Sequence, residues 1–163
     1  MEIRSMKITD WEQVSQIYEE GIATGFATFE TAAPTFEVWD SAHVASCRLV
    51  AEENGIILGW AALSPVSSRC VYGGVGEVSI YVGARSRGKG VGNALMERLI
   101  SESEAAGFWT IQSGIFPENE GSIKLHETMG FRYIGKREHV GKIHGVWKDN
   151  LLFEKRSNNI GVD

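Results

Sequence analysis

The tightest constraint on the fold is the stretch from Val75 to Leu99, where the period of the apolar pattern changes across a glycine-rich junction. From Val75 to Val82 the chain alternates, so Val78, Ile80 and Val82 share one face and Glu77, Ser79 and Tyr81 the other, as in a strand lying on a core. Beyond the junction Val91, Leu95 and Leu99 recur at helical spacing and Ala94 widens the stripe. Gly83 to Asn93, reading GARSRGKGVGN, is therefore a strand-to-helix loop. Its small residues let a ligand reach the backbone, and the unpaired first-turn amides at the positive end of the helix dipole attract an anion. Phosphate suits such a seat, and Arg85, Arg87 and Lys89 add charge.

The flanking chain supplies matching elements. A short strand is expected over Glu2–Met6, then a capping box at Thr9-Asp10-Trp11-Glu12 opening a helix that runs to about Gly21. Residues 22–34 lack a period and read as a loop carrying Phe26, Phe29 and Glu30, suited to be one wall of a pocket. A helix over Thr35–Ser46 precedes two strands, Arg48–Glu53 and Ile56–Ser64, joined by the hairpin signal Asn54-Gly55. Pro65–Gly74 is a loop whose most functional-looking side chains are Arg69 and Tyr72. After the central helix, stopped by Gly107, come a strand over Phe108–Ile115, a helix from the N-cap Asn119 to Met129, and strands over Phe131–Arg137 and Trp147–Lys155 separated by Gly141–Gly145. The strand-helix-strand unit predicts two parallel neighbours with a right-handed crossover.

The 163 residues suffice for one domain over 1–163, with a tail expected to fray over 157–163. A net charge of −5 argues against a protein that coats nucleic acid or an anionic membrane, so the basic cluster is local. Cys47 and Cys70 with four histidines show no metal-ligand spacing, and no metal is expected. Free thiols, a start without a signal-peptide core and no long apolar run lead to the expectation of a cytoplasmic protein.

Spacing separates the nucleotide-type readings of the loop. Gly83, Gly88 and Lys89 fit G-x-x-x-x-G-K-[ST], but Gly90 has no hydroxyl for magnesium. The dinucleotide fingerprint fails because Asn93 stands at its third glycine. Arg87-x-x-Gly90-x-Gly92 instead resembles the pyrophosphate loop of the GNAT N-acetyltransferases. Asn119 and the run Ser122-Ile123-Lys124-Leu125-His126-Glu127-Thr128-Met129-Gly130-Phe131 also resemble that family's later motifs. Within it the chain is most similar to phosphinothricin and methionine sulfoximine acetyltransferases, through Thr28-Phe29-Glu30, Glu77-Val78-Ser79-Ile80-Tyr81-Val82 and Gly141-Lys142-Ile143-His144-Gly145-Val146-Trp147-Lys148-Asp149. It departs from them at Gly76, where valine is usual, and at Ile143, where lysine is usual.

The resemblance implies an α/β (α+β) GNAT fold: a single mixed, twisted sheet of about six to seven strands flanked by about four helices, its parallel central strands splayed at the cofactor site. It implies acetyl-CoA as acetyl donor, held by Ile80, Tyr81, Val82, Arg87, Gly88, Lys89, Gly90, Val91, Gly92, Asn93 and Asn119, with the Val82 amide as oxyanion donor. Direct transfer to a small-molecule amine needs a base and an acid, for which Glu77 and His126 are the candidates; relatives often carry tyrosine at the latter position. Phe29, Arg69, Tyr72, Glu77, Val78 and Ser79 are expected around the acceptor, where a guanidinium can pair with a carboxylate or phosphinate. A homodimer is implied too. The expected reaction is acetylation of the α-amine of an amino acid analogue such as phosphinothricin or methionine sulfoximine; the alternatives are another amine, such as a peptide terminus or polyamine, or a non-catalytic acyl-CoA-binding module.

Overall fold

The computed structural model describes residues 1–163. Seven strands, β1 (Glu2–Ser5), β2 (Leu49–Glu53), β3 (Ile56–Pro65), β4 (Val75–Val82), β5 (Thr110–Ile115), β6 (Arg132–Ile143) and β7 (Val146–Arg156), make one sheet in the order β1-β2-β3-β4-β5-β7-β6. Every neighbouring pair is antiparallel except β4 and β5. Helix α1 (Trp11–Thr24) and α2 (Phe36–Ala42) precede β2, α3 (Val91–Ala105) crosses from β4 to β5, and α4 (Glu120–Thr128) follows β5. The expected mixed GNAT-type sheet with four helices is thus what forms.

Two cores sandwich the sheet. Leu49, Ala51, Ala61, Leu63 and Val78 meet Val91, Leu95, Met96 and Leu99 of α3 on one face. Val50, Trp60 and Ala62 meet Val14, Ile17 and Tyr18 of α1 and Trp39 of α2 on the other. Strands β2 and β3 are buried on both faces, which is why their sequences read as apolar runs rather than alternations. The Asn54-Gly55 hairpin forms as expected, with φ of 53° and 81° at its two turn residues.

Several boundaries move for physical reasons. Helix α1 passes Gly21 and stops at Gly25, whose φ is 79°. Gly21 is retained inside the helix because a Cβ there would stand 2.7 Å from the Tyr81 ring. Helix α2 is shorter than expected, with Thr35 as its cap rather than its first turn. Strands β6 and β7 run to a tight turn at His144-Gly145, so Gly141–Ile143 is strand and not connection. The tail expected to fray is tied down: Arg156 donates to the Ile160 carbonyl at 2.8 Å, and Asn159 Nδ2 to Glu104 Oε2 at 3.1 Å.

The capping box at Thr9–Glu12 does not form. Residues Ile8–Asp10 make a 3-10 turn, and the Asp10 carboxylate accepts the Lys7 N–H at 2.8 Å and both Arg4 donors at 2.8 and 2.9 Å. Arg4 also reaches Glu52 of β2 at 3.2 Å, so charge pins the start of α1 to the sheet edge. The Arg4 guanidinium, outweighing burial and helped by the Lys7 amide, holds the Asp10 carboxyl below the usual carboxylate range. Because the folded pKa is depressed, this stabilisation is complete above the unfolded value near ~4 and is lost as pH falls through the folded one. We expect Asp10→Asn to cost about 2–3 kcal/mol in urea unfolding at pH 7 and to flatten the acid limb of the stability profile. An unchanged midpoint would show that the Arg4 cluster does not secure α1.

Candidate active site

β4 and β5 pair only at their beginnings: Val75 with Thr110, Gly76 with Ile111 and Glu77 with Gln112. Beyond that, β4 stays on β3 as far as Val82 and β5 stays on β7 as far as Ile115, so the two diverge while each is held from its far side. Along a strand, N–H and C=O point together to alternate sides. The Gly83 N–H donates to the Leu58 carbonyl of β3 at 2.8 Å. Tyr81 and Ser79 therefore face β3 as well, and Val82, Ile80 and Val78 present their backbone groups to the gap.

The gap opens into two joined clefts that share Ala27, Ile80, Tyr81, Asn119 and Ser122 as walls. The larger, about 640 Å³, is bordered by Arg87, Gly88, Gly90, Val91, Gly92 and Asn93. Gly88 and Gly90 have φ of 76° and 81°, and no atom lies within 4 Å of where a Cβ would stand at either. A ligand can thus touch this backbone directly, in a conformation that only glycine adopts without strain. Helix α3 begins at Gly90 with no side-chain cap, so its first-turn amides have no side-chain acceptor. Arg85, Arg87 and Lys89 take part in none of the ion pairs. Arg87 borders the cleft, whereas Lys89 stands outside its lining. Gly92 has a packing reason: a Cβ there would come 3.3 Å from Leu125 of α4.

The smaller cleft, about 310 Å³, brings together Phe29, Glu77, Val78 and Ser79, named above for the acceptor, and Asn119, named for the cofactor. Phe29 is wedged edge-on against Phe116 at 4.7 Å, over a Gly141 whose Cβ would lie 2.8 Å from its ring, so loop 25–35 forms a wall. Glu77 is half-buried and joins none of the nine ion pairs. Tyr81 stacks between Tyr18 at 4.9 Å and Trp60 at 4.8 Å, and burial pushes its phenol up, keeping it neutral. Asn119 Oδ1 accepts the Ser122 N–H at 3.2 Å, capping α4, while the residue borders both clefts.

Three candidates stand differently from this group. Arg69 and Tyr72 lie outside both clefts, the guanidinium resting 5.6 Å from the Tyr72 ring centroid. Their 3-10 turn, Cys70–Tyr72, precedes β4, whereas the gap begins only after Glu77. His126 is not a cationic acid: it is 1 % exposed, and burial pushes its ring pKa down. Its Nδ1 lies 2.7 Å from the Ser122 carbonyl, to which it must donate, leaving Nε2 to accept the Ser113 hydroxyl at 2.7 Å. Both nitrogens are committed and the imidazole is neutral. Sequence reasoning passed over Ser113, Arg137 and Asn150, which also line the cleft. Alternation along β5 could have flagged Ser113, but placing Arg137 required a strand register displaced by a bulge between Arg137 and Gly141.

A gap between diverging parallel strands, with an uncapped helix start at one end and a carboxylate at the other, defines an α/β protein that seats a long phosphorylated ligand against an open strand edge. The profile of the acetyltransferase (GNAT) family matches residues 8–131, and the chain belongs to that family; it is an N-acetyltransferase. It is 32% identical over 153 residues to phosphinothricin N-acetyltransferase of Streptomyces viridochromogenes, covering 91% of this chain and 84% of that protein. It is 37% identical over 101 residues to the L-methionine sulfoximine/L-methionine sulfone acetyltransferase of Salmonella typhimurium, covering 62% and 59% of the two. Among solved structures it superposes with TM-score 0.89 on a phosphinothricin acetyltransferase from Sinorhizobium meliloti in complex with AcCoA, at 28% identity over 99% of this chain and 91% of that one.

The neutral His126 carries a pH signature. With its folded pKa below the free value near ~6.5, its contribution to stability is complete above that value and declines as pH falls through it toward the folded pKa. We expect nitrogen-resolved NMR at pH 7 to show the Nδ1–H tautomer, titrating below pH ~6.5. An imidazolium signal at pH 7 would overturn this assignment.

Proposed function

We propose that this chain transfers the acetyl group of acetyl-CoA to the α-amine of a small amino acid analogue, such as phosphinothricin or methionine sulfoximine. The observation that carries this reading is the parting of β4 and β5, which leaves the Ile80 and Val82 backbone free between a phosphate seat and Glu77. The first-turn amides of α3 and Arg87 hold the pyrophosphate. The free groups of Val78, Ile80 and Val82 pair with the amides of the pantetheine arm, and the Val82 N–H faces the thioester oxygen as negative charge builds there.

Glu77 takes a proton from the acceptor ammonium, directly or through water, exposing the nitrogen lone pair. As the C–N bond forms and the C–S bond breaks, nitrogen sheds a second proton and the departing thiolate gains one. With His126 neutral and tied to Ser113, that proton is passed through water in the cleft rather than supplied by an imidazolium. No group of three or more His, Cys, Asp or Glu that could hold a metal ion is present, and acyl transfer of this kind calls for none. The free thiols of Cys47 and Cys70 suit a reducing, cytoplasmic setting.

The enzyme works as a homodimer in this reading. β6 is an edge strand of the sheet, and Tyr133, Ile134, Val140, Val146 and Trp147 of the β6–β7 hairpin are exposed at 54, 41, 45, 57 and 52%. A long edge with that much apolar surface is a liability unless covered, and a second copy covers it. Light scattering should give twice the 17.9 kDa chain mass, and a monomer at micromolar concentration would refute the dimer.

Two substitutions separate chemistry from binding. Glu77→Gln should lower turnover, followed as thiol release, by about 100- to 10,000-fold with little change in CoA affinity. Gly90→Val places a branched side chain at a left-handed position against the phosphate seat and should weaken CoA binding in calorimetry by about tenfold or more. Wild-type turnover in the first, or unchanged affinity in the second, would remove that residue's role.

A further inference from the structure

Arg137 and Asn150 are cross-strand partners in β6 and β7, and both border the smaller cleft. Arg137 Nη2 donates to Asn150 Oδ1 at 3.1 Å. Asn150 is 5% exposed and leans across β5 at Gly114, where a Cβ would stand 2.4 Å from its Oδ1. The missing side chain at Gly114 therefore makes room for the amide that orients the guanidinium. Beyond Arg137 the strand is interrupted by a bulge, in which His139 has φ of 47° and donates its N–H to Asp149 Oδ1 at 2.9 Å. Asp149 is thereby engaged with His139 and Lys136. Arg137 takes no carboxylate in any ion pair.

The charges facing this cleft are consequently few. Glu77 is the one carboxylate and Arg137 the one cation on its walls, since His126 is neutral. They approach from β4 and β6, with β5 and β7 between them. Such a cavity matches a molecule bearing an ammonium at one place and an oxyanion at another. A guanidinium with a buried amide on one of its donors still offers several N–H groups in a planar fork, which suits two oxygens of one acid.

We infer that Arg137, oriented by Asn150, binds an oxyanion of the acceptor, a carboxylate or phosphinate, and makes the enzyme select acidic or zwitterionic amines over simple ones. This deepens the reading given above and rests on the smaller cleft being the acceptor site. It adds Arg137 to the acceptor candidates Arg69 and Tyr72 that the sequence suggested.

The test is equilibrium binding by calorimetry in the presence of CoA, with turnover measured in parallel. The acceptors are phosphinothricin, methionine sulfoximine and the amine obtained by decarboxylating each. Arg137→Gln should weaken binding of the amino acids by about 10- to 100-fold, raise KM more than it lowers kcat, and leave the decarboxylated amine of methionine sulfoximine unaffected. Arg137→Lys should recover part of the loss, because it keeps the charge without the fork. Asn150→Ala should weaken the same ligands, yet add little in the Arg137→Gln background. A loss for phosphinothricin alone identifies the phosphinate as the bound oxyanion, and a loss for both amino acids identifies the α-carboxylate. Equal binding by wild type and Arg137→Gln, or equal losses for methionine sulfoximine and its decarboxylated amine, overturns the inference. Arg137-dependent binding without CoA release leaves the inference standing and refutes the catalytic reading instead.

Discussion

The paired length of β4 and β5 is three residues, and the cleft depends on that shortness. A fully zipped parallel pair would satisfy the Val78, Ile80 and Val82 backbone internally and leave nothing for a ligand to bind. The separation persists because each strand has a stronger hold elsewhere: β4 runs antiparallel to β3 from Gly76 to Val82, and β5 to β7 over its whole length. The stack of Tyr18, Trp60 and Tyr81 braces β4 from the α1 side, and Gly21 allows that stack to close. Unpaired backbone in the middle of a sheet is costly when dry, so the clefts that flank it are a condition of its existence as well as the site of function.

The electrostatics are local in the same way. The chain carries a net charge of −5, yet Arg87 at the cleft, with Arg85 and Lys89 in the same loop, joins no ion pair. At the other end Glu77 is left without a cation of its own. Arg4 and Asp10, by contrast, are fully engaged at the sheet edge, where the charge does structural work.

Elements with a strong period were legible in the sequence. Val75–Val82 fell where the alternation placed it, and α3, Asn119 as a cap and the Asn54-Gly55 turn followed from local chemistry. What local patterns could not supply was anything set by distant partners. Thr9 made a good cap on paper, but Arg4 and Lys7 engaged Asp10 and drew the chain into a tighter turn. The hydrogen bonds of His126 to Ser113 and the Ser122 carbonyl, which engage both ring nitrogens, are likewise set by the fold and not by local pattern. Arg69 looked better placed than Arg137 because motif distance along the chain favours residues near β4, whereas the sheet order sets β6 only two strands beyond β5.

The glycine at position 76 has a local cause in Phe108. A Cβ at Gly76 would stand 3.1 Å from the Phe108 ring and 3.5 Å from Leu63, so the volume absent from β4 is supplied by the residue entering β5. A larger side chain at 76 therefore calls for a smaller one at 108, and substitutions at the two positions are expected to couple. That coupling sits where β4 and β5 are still in register, just before the two strands part and the cleft opens.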